Sequence, residues 1–243
     1  MDFDNLEKVC DDKCRIFILC NPHNPAGICW RKETLQQLAD FCYDHHLLVI
    51  SDEIHCDMAI FGHKHIPFAT VSEKARENSI TFQAPTKTFN IAGIISSYAI
   101  IPNADIRKKF YGWIKANELD EANIFAPIAT IAAFTKGEEW RKSMLTYIED
   151  NVRFVEEYCE KNIPQIHPLR PQASFLIWLN CRELNLDHKD LLDLFIDKAH
   201  LALNDGEMFG QGGEGFMRMN IATPRSVIKQ ALDQLATAVN NLK

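Results

Sequence analysis

The stretch RIFILCNPHNPAG, residues 15–27, decides the fold of this chain. Its first part, RIFILC (15–20), is an apolar run of strand length. The second part, NPHNPAG (21–27), is a turn because proline, asparagine and glycine interrupt regular structure. The sequence therefore predicts a buried strand that ends abruptly in a polar turn.

The segment after this turn completes a βαβ unit. Residues 31–46 carry apolar side chains at helical spacing, namely Leu35, Leu38, Ala39 and Cys42. LLVISDE (47–53) is a second apolar run, which stops at charged residues. Strand, turn, helix and strand in this order predict an α/β fold with a mostly parallel sheet covered by helices.

The rest of the chain continues the α/β pattern. SITFQAP (79–85) and ISSYAII (95–101) are predicted strands that flank Lys87. Helices are predicted at 106–116, 123–137, 138–162, 188–200 and 224–243, and further strands at 174–180 and 216–222. We interpret 1–137 as part of a large domain, 138–162 as a connecting helix and 163–243 as a smaller α/β domain.

Composition limits the classes of function. Hydrophobic residues make up 47% and charged residues 24%, values typical of globular proteins, and the net charge is −7. This acidic balance argues against a nucleic-acid partner, and no apolar run reaches the roughly 18–20 residues of a membrane span. The eight cysteines are scattered without zinc-site spacing, so we expect no metal and a cytoplasmic protein with free thiols.

Polar groups follow three predicted strands. Asn24 comes after the first strand, Asp52 and His55 after the second, and Lys87 after the third. Each of these residues also has an ordinary structural explanation. Asn24 could form a turn, Asp52 could cap a helix, His55 could bond the backbone, and Lys87 could extend into water. In open α/β sheets, however, ligands bind beyond the carboxyl ends of strands. A lysine amine, a carboxylate and hydrogen-bond donors together suit pyridoxal phosphate.

Three motifs carry a specific family resemblance. NPHNPAG (21–27), SDEIHCD (51–57) and APTKTFNIAG (84–93) resemble successive motifs of the fold-type I pyridoxal-phosphate enzymes of the class I/II aminotransferase superfamily. With His55 where many aminotransferases have tyrosine, and with GHKHIPFA (62–69), the chain resembles the branch of cystathionine β-lyases and related C–S lyases.

The resemblance implies roles for particular residues. Lys87 would form the Schiff base with the cofactor, Asp52 would pair with the pyridine nitrogen, and Asn24 and His55 would bond the ring hydroxyl oxygen. Arg218 would bind the α-carboxylate of the substrate with its planar fork, whereas its alternative is a surface charge at a strand edge.

The chain departs from the aminotransferase pattern at two positions. Many aminotransferases have a phosphate-binding arginine where this chain has Ile95, and a serine where it has Ala84. Other groups must then bind the cofactor phosphate, and we predict that the Thr86 hydroxyl is one of them. Both departures fit the C–S lyase branch better than the aminotransferases.

The family also carries a long segment ahead of the first matched residue. It supplies a phosphate-binding turn, an aromatic residue on the pyridine ring and a tyrosine for the partner's site. We therefore interpret the sequence as the later part of an enzyme and expect little activity from this chain alone. The family is typically homodimeric, and a homodimer is expected for the full-length protein.

Two further motifs suggest a ligand site less strongly. FGQGGEGF (209–216) leads into a strand and lacks the lysine of a phosphate-binding loop, so we interpret it as a flexible loop beside the substrate site. HKH (63–65) offers two histidines for a metal, but with no third ligand evident nearby we favour a loop role.

The function that the resemblance implies is β-elimination from a small sulfur-containing amino acid. Cystathionine or a cysteine conjugate would give pyruvate, ammonia and a thiol. One alternative is transamination by the same residues. The other, of a different class, is an inactive remnant that serves only as a structural or interaction domain.

Overall fold

The structure is a computed structural model that describes residues 1–242. Within this range the chain divides into two compact units. The first unit comprises residues 1–23, 29–59 and 63–142, and the second comprises 24–28, 60–62 and 143–242. The 25-residue helix Glu138–Asn162 contributes to both units. The three-part division predicted above remains a prediction.

The first unit contains a four-stranded sheet with helices around it. Its strands are β1 (Ile16–Cys20), β2 (Leu48–Asp52), β3 (Ser79–Gln83) and β4 (Tyr98–Ile100), in that spatial order. Its helices are α1 (Phe3–Val9), α2 (Lys32–Asp44), α3 (Glu73–Glu77), α4 (Pro85–Thr88), α5 (Ala104–Ala116), α6 (Phe125–Lys136) and the start of α7 (Glu138–Asn162).

The sheet confirms the predicted mostly parallel topology. Strands β1, β2 and β3 are parallel, whereas β4 runs antiparallel to β3. Helix α2 connects β1 to β2 and buries the apolar face that its spacing predicts, formed by Leu35, Leu38, Ala39 and Cys42. This face joins Leu19 and Val49 in one hydrophobic core. The core therefore lies on one side of β1 and β2.

The second unit contains an antiparallel sheet. Its strands are β5 (His167–Leu169), β6 (Leu176–Asn180), β7 (Asn204–Asp205) and β8 (Phe216–Asn220), in the spatial order β5-β6-β8-β7. Its helical segments are most of α7, then α8 (His188–Asp193), a π-helical turn (Leu194–Lys198) and α9 (Arg225–Asn240).

Two features hold the second unit together. Helix α9 buries Ile228, Leu232 and Leu235 at the spacing of one helical face. Gly27 belongs to this unit, adopts a φ of +66°, and lies so close to Pro171 that a Cβ on it would approach the proline Cβ to 2.6 Å. Glycine at this position therefore permits both the backbone angle and the close contact.

None of the helices formed by residues 1–242 combines the length and the apolarity that crossing a bilayer requires.

Candidate active site

The carboxyl end of β2 presents two of the predicted residues. Asp52 is the last residue of β2, is exposed, and accepts a hydrogen bond of 3.2 Å from the Ile54 backbone to Oδ1. His55 begins the short 3₁₀ turn Cys56–Met58 and is buried. The backbone N–H of Asn21 donates to the Asp52 carbonyl at 2.9 Å. The ends of β1 and β2 are thus tied at the point where Asp52 emerges.

The carboxyl end of β3 presents Lys87. The strand ends at Gln83, and Pro85 starts the single-turn helix α4, a position where proline is favoured because its missing N–H has no intrahelical acceptor. Thr86 is buried in this turn, whereas Lys87 is exposed. Because β2 and β3 are parallel neighbours, with Asp52 opposite Phe82, Asp52 and Lys87 emerge at the same edge of the sheet.

The same edge contains a buried carboxylate that sequence reasoning missed. Glu53 is 0% exposed and lies directly after Asp52. Its Oε1 accepts hydrogen bonds from the Ser51 hydroxyl at 2.9 Å and from the Phe68 backbone N–H at 2.8 Å. Its Oε2 lies 2.8 Å from Nε2 of His65 and 3.2 Å from Nε2 of Gln83. Glu53 therefore joins β2, β3 and the 63–68 segment.

This network extends to β4. The Tyr98 hydroxyl donates to Oε1 of Gln83 at 3.0 Å, and burial raises the pKa of Tyr98 to about 12. Side chains alternate between the two faces of a strand, so Glu53 and Gln83 lie on the face opposite Asp52 and Phe82. The alternation through SDE, together with the strand register, is the signal that would have identified Glu53.

The HKH segment takes part in the network at one of its two histidines. His65 is mostly buried and bonds Glu53, whereas His63 is exposed. Among residues 1–242, no group of three or more histidine, cysteine, aspartate or glutamate side chains is arranged to hold a metal ion. The role of this segment that the structure supports is to close the network around Glu53.

In the second unit the structure brings Arg218 and Asn24 together. Arg218, in the middle of β8, donates from Nη1 to Oδ1 of Asn24 at 2.7 Å and from Nη2 to Oδ1 of Asn204 at 2.8 Å. Since a guanidinium can only donate, both amides must present their oxygen atoms to it. Burial lowers the pKa of Arg218 from its usual value. Arg218 is thus held as an oriented fork rather than as a free surface charge.

The structure also shows where the two positions that depart from the aminotransferase pattern lie. Ala84 is buried immediately before α4, where a serine hydroxyl would lie beside Pro85. Ile95 ends the short 3₁₀ turn Ala92–Ile94 in a left-handed conformation, and its side chain is 82% exposed. Neither side chain offers a donor for a phosphate group.

Comparison with known protein families and curated proteins identifies relatives over almost the whole chain. Residues 1–235 match the family described as aminotransferase class I and II. Cystathionine β-lyase PatB of Bacillus subtilis is 40% identical over 241 residues, which are 99% of this chain and 62% of PatB. Protein MalY of Escherichia coli is 32% identical over 100% of this chain and 62% of its own length.

A solved structure also aligns with this chain over its whole length. Cystalysin from Treponema denticola, whose crystal structure contains pyridoxal 5′-phosphate, aligns with a TM-score of 0.95 at 36% identity. The alignment covers 100% of this chain and 62% of cystalysin. The chain thus spans about three-fifths of the length of these relatives. The extent of the family match shows that this chain belongs to the class I and II aminotransferase family.

Proposed function

We propose that this chain carries the cofactor-binding and substrate-binding residues of a pyridoxal-phosphate-dependent C–S β-lyase, which cleaves the Cβ–S bond of an amino acid such as cystathionine. The observation that carries the proposal is the emergence of Lys87 and Asp52 from neighbouring parallel strands at one edge of the sheet. The name of cystathionine β-lyase PatB supports the same reaction, and the pyridoxal 5′-phosphate in the cystalysin structure supports the same cofactor.

The residues at this edge fit the proposed cofactor. Lys87 supplies an exposed amine that can bond an aldehyde carbon, and Asp52 supplies an exposed carboxylate for a protonated ring nitrogen. His55 and Thr86 add a ring nitrogen and a hydroxyl that can bond oxygen atoms. Asn24, which belongs to the second unit, carries an amide group of the kind that a bond to the ring hydroxyl oxygen requires.

The reaction assigns a distinct task to each side chain. Bound pyridoxal phosphate would draw electron density from the α-carbon of the substrate and so make its proton removable. Lys87 accepts that proton as the general base. Asp52 keeps the proton on the ring nitrogen, and Arg218 binds the α-carboxylate through two parallel hydrogen bonds.

The net chemistry balances without a further reactant apart from water. The Cα–H bond breaks with its proton on Lys87, and the Cβ–S bond breaks with its electron pair on sulfur. Cystathionine and water thus give homocysteine, pyruvate and ammonia. The absence of a phosphate donor at Ala84 and Ile95 favours the lyase branch over the aminotransferases.

Covalent trapping tests the assignment of Lys87. We would incubate the purified chain with pyridoxal phosphate, reduce it with borohydride, and identify the modified peptide by mass spectrometry. The expected result is a pyridoxyl group on Lys87 that the Lys87→Ala variant lacks. Lys115→Ala, which changes an exposed lysine of α5, serves as the matched control and retains the label. Labelling that is equal in wild type and Lys87→Ala would refute the proposal.

Product analysis then separates the three functions. With L-cystathionine as the substrate, formation of pyruvate and homocysteine in equal amounts supports the lyase. Exchange of the amino group with an added 2-oxo acid, without a thiol product, indicates transamination. A chain that neither takes up the cofactor nor forms product would be a structural or interaction domain. The ratio of products, rather than the rate, decides the outcome.

We also propose a cytoplasmic location and a homodimeric full-length protein. All eight cysteines are free thiols, as a reducing compartment allows. Helix α6 exposes the large apolar residues Phe125, Ile128 and Ile131 at helical spacing, which is the pattern of a helix face that packs against another surface. Sedimentation of the full-length protein at several concentrations would test the dimer.

A further inference from the structure

An aromatic ring lies beneath the guanidinium of Arg218. The centroid of the Phe209 ring is 4.5 Å from Cζ of Arg218, within the range of a cation–π contact. Phe209 also meets Trp178 edge to face, with ring centroids 5.5 Å apart and planes at 81°. Trp178 is also the cross-strand neighbour of Arg218 between β6 and β8. Phe209 thus contacts both side chains of this cross-strand pair.

The hydrogen bonds of Arg218 leave a part of the guanidinium without a polar partner. The two Nη atoms bond Asn24 and Asn204, but Nε is buried and has no hydrogen-bond partner among the described residues. A buried donor without a partner destabilises its conformation. The face of the Phe209 ring offers the compensating attraction, because the π-system carries partial negative charge.

The backbone around Phe209 places the ring in this position. Phe209 ends the 3₁₀ turn Gly206–Phe209, which directly follows Asp205 of the edge strand β7. Gly206 lies against Gly213 so closely that a Cβ on Gly206 would come within 2.1 Å of the Gly213 carbonyl oxygen. The two glycines therefore hold the ends of the 209–216 loop together by a contact that a residue with a Cβ could not make. This contact restricts the position of the Phe209 backbone and so of its ring.

We propose that Phe209 is a positioning residue for Arg218, and that it sets the affinity of the protein for the α-carboxylate of an amino acid. The binding of a substrate carboxylate by Arg218 rests on the proposed function. The restriction of the Arg218 guanidinium by the Phe209 ring does not depend on that function. The ring restricts the plane of the fork, so two parallel hydrogen bonds can form to a carboxylate with little further ordering of the side chain.

The chain offers a matched control for this contact. Phe216 also stacks on Trp178, with centroids 5.1 Å apart and planes at 11°. It also lies under a second guanidinium, with Cζ of Arg182 4.6 Å from its centroid. Phe216→Leu therefore removes a similar ring from the same aromatic cluster without touching Arg218. A purely structural role of the cluster predicts equal effects for Phe209→Leu and Phe216→Leu.

The first experiment measures, in the absence of cofactor, how strongly the Phe209 ring restricts the guanidinium of Arg218. Hydrogen exchange of arginine Nε–H groups is followed by NMR, with Arg218→Lys used to assign the Arg218 signal. We expect slow exchange for Arg218 compared with the exposed Arg31, and roughly tenfold faster exchange in Phe209→Leu. Phe209→Tyr, which keeps a ring face, and Phe216→Leu should retain slow exchange. If Phe209→Leu does not fold, Phe209→Met takes its place.

The second experiment measures recognition of the carboxylate. Dissociation constants of L-alanine and ethylamine, which differ only by the carboxylate, are determined from the absorbance change of the cofactor-loaded protein. In Phe209→Leu the preference for L-alanine should fall by roughly tenfold, while Phe209→Tyr and Phe216→Leu keep it.

The outcomes separate this proposal from the proposed function. Unchanged Nε–H exchange in Phe209→Leu, fast exchange already in the wild type, or an equal loss of preference in both leucine variants would overturn the role of Phe209. A wild-type chain that takes up no cofactor would instead overturn the proposed function and the carboxylate role of Arg218. In that case the exchange experiment still decides whether Phe209 holds the guanidinium.

Discussion

Arg218 and Asn24 are 194 residues apart in the sequence, yet Nη1 of the arginine donates a 2.7 Å hydrogen bond to the amide oxygen of the asparagine. The bond links strand β8 to the turn that follows β1 in the sequence, and both residues belong to the second unit. Each was predicted to bind a different part of the complex, the substrate carboxylate and the ring oxygen of the cofactor. Their contact means that a change at one alters the orientation of the other.

The first prediction concerns Asn24→Asp. A carboxylate at this position forms a charge-assisted bond with Arg218 and competes with the carboxylate of an amino acid. We expect the dissociation constant of L-alanine on the cofactor-loaded protein to rise by about tenfold or more, and that of ethylamine to rise less, because only L-alanine has a carboxylate that competes for Arg218. Asn117→Asp, at the end of α5, is the control for added charge. Equal weakening of both ligands would indicate damage to the cofactor site instead.

The second prediction concerns Glu53→Gln. The amide group of glutamine replaces one acceptor oxygen by a donor, which then faces side chains or N–H groups that also donate. We expect the free energy of unfolding in urea to fall by about 2–4 kcal/mol because buried donors lose their partner. The exposed Glu160 of α7 is the matched control, and Glu160→Gln should change the free energy of unfolding by less than about 0.5 kcal/mol.

The location of Glu53 also predicts an effect on its neighbours. Since Glu53 fixes the end of β2 from the face opposite Asp52, the glutamine variant should bind pyridoxal phosphate more weakly even at temperatures where it remains folded. Equilibrium dialysis of the cofactor measures this. A variant that loses stability but binds the cofactor with unchanged affinity would limit Glu53 to a structural role.

The third prediction concerns cysteine reactivity. Cys42, Cys159 and Cys181 are buried, and burial raises the pKa of each thiol to about 12. At pH 8 the reactive thiolate is then a very small fraction, roughly one part in ten thousand. We expect iodoacetamide to leave these three unmodified in the native protein while the partly exposed Cys14 reacts. Mass spectrometry of native and urea-unfolded samples measures the difference, and rapid labelling of all four in the native sample would contradict it.

Long periodic elements of the fold could be predicted from the sequence. The helix at 138–162 agrees with the structure at both ends, and the order of β1, α2 and β2 follows from one apolar run, one helical pattern and a second run. In these segments burial repeats over enough residues to define a period. The predicted boundaries elsewhere are wrong by a few residues, because end groups and prolines decide them locally.

Short elements escaped prediction for a physical reason. Helix α1 has seven residues and β7 only two, too few to establish a period. The predicted strand at 79–85 ends at Gln83 because Pro85 begins α4. The predicted helix at 188–200 changes to a π-helical turn after Asp193. These changes depend on tertiary packing rather than on local sequence.

The candidate site likewise contains residues that the sequence predicts and residues that only the structure reveals. The sequence predicts Lys87, Asp52, Asn24 and Arg218 as site residues because each belongs to a motif or follows a strand, and their roles remain predictions. Glu53, Asn204 and Phe209 were missed, since their roles depend on the register of neighbouring strands and on a turn closed by two glycines. Sequence reasoning names the groups that perform chemistry more readily than the groups that hold them.

The last prediction is a pH dependence of stability from His23. This side chain lies in the turn after β1, and its ring meets Trp30 edge to face with centroids 5.7 Å apart. Burial lowers the pKa of His23 below its usual 6.5, and its Nδ1 has no hydrogen-bond partner among the described residues. As the pH falls through 6.5, the unfolded chain binds a proton that the folded protein still excludes.

The stability due to a neutral His23 is therefore present above its usual pKa and decreases as the pH falls towards the lowered value in the folded protein. One such group changes the free energy of unfolding by at most about 1.4 kcal/mol per pH unit. We expect wild type to lose more stability between pH 7.5 and 5.5 than His23→Asn, measured by urea unfolding. His63→Asn, which replaces an exposed histidine by the same residue, is the matched control and should keep the wild-type slope. Parallel curves for wild type and His23→Asn would show that His23 titrates alike in both states.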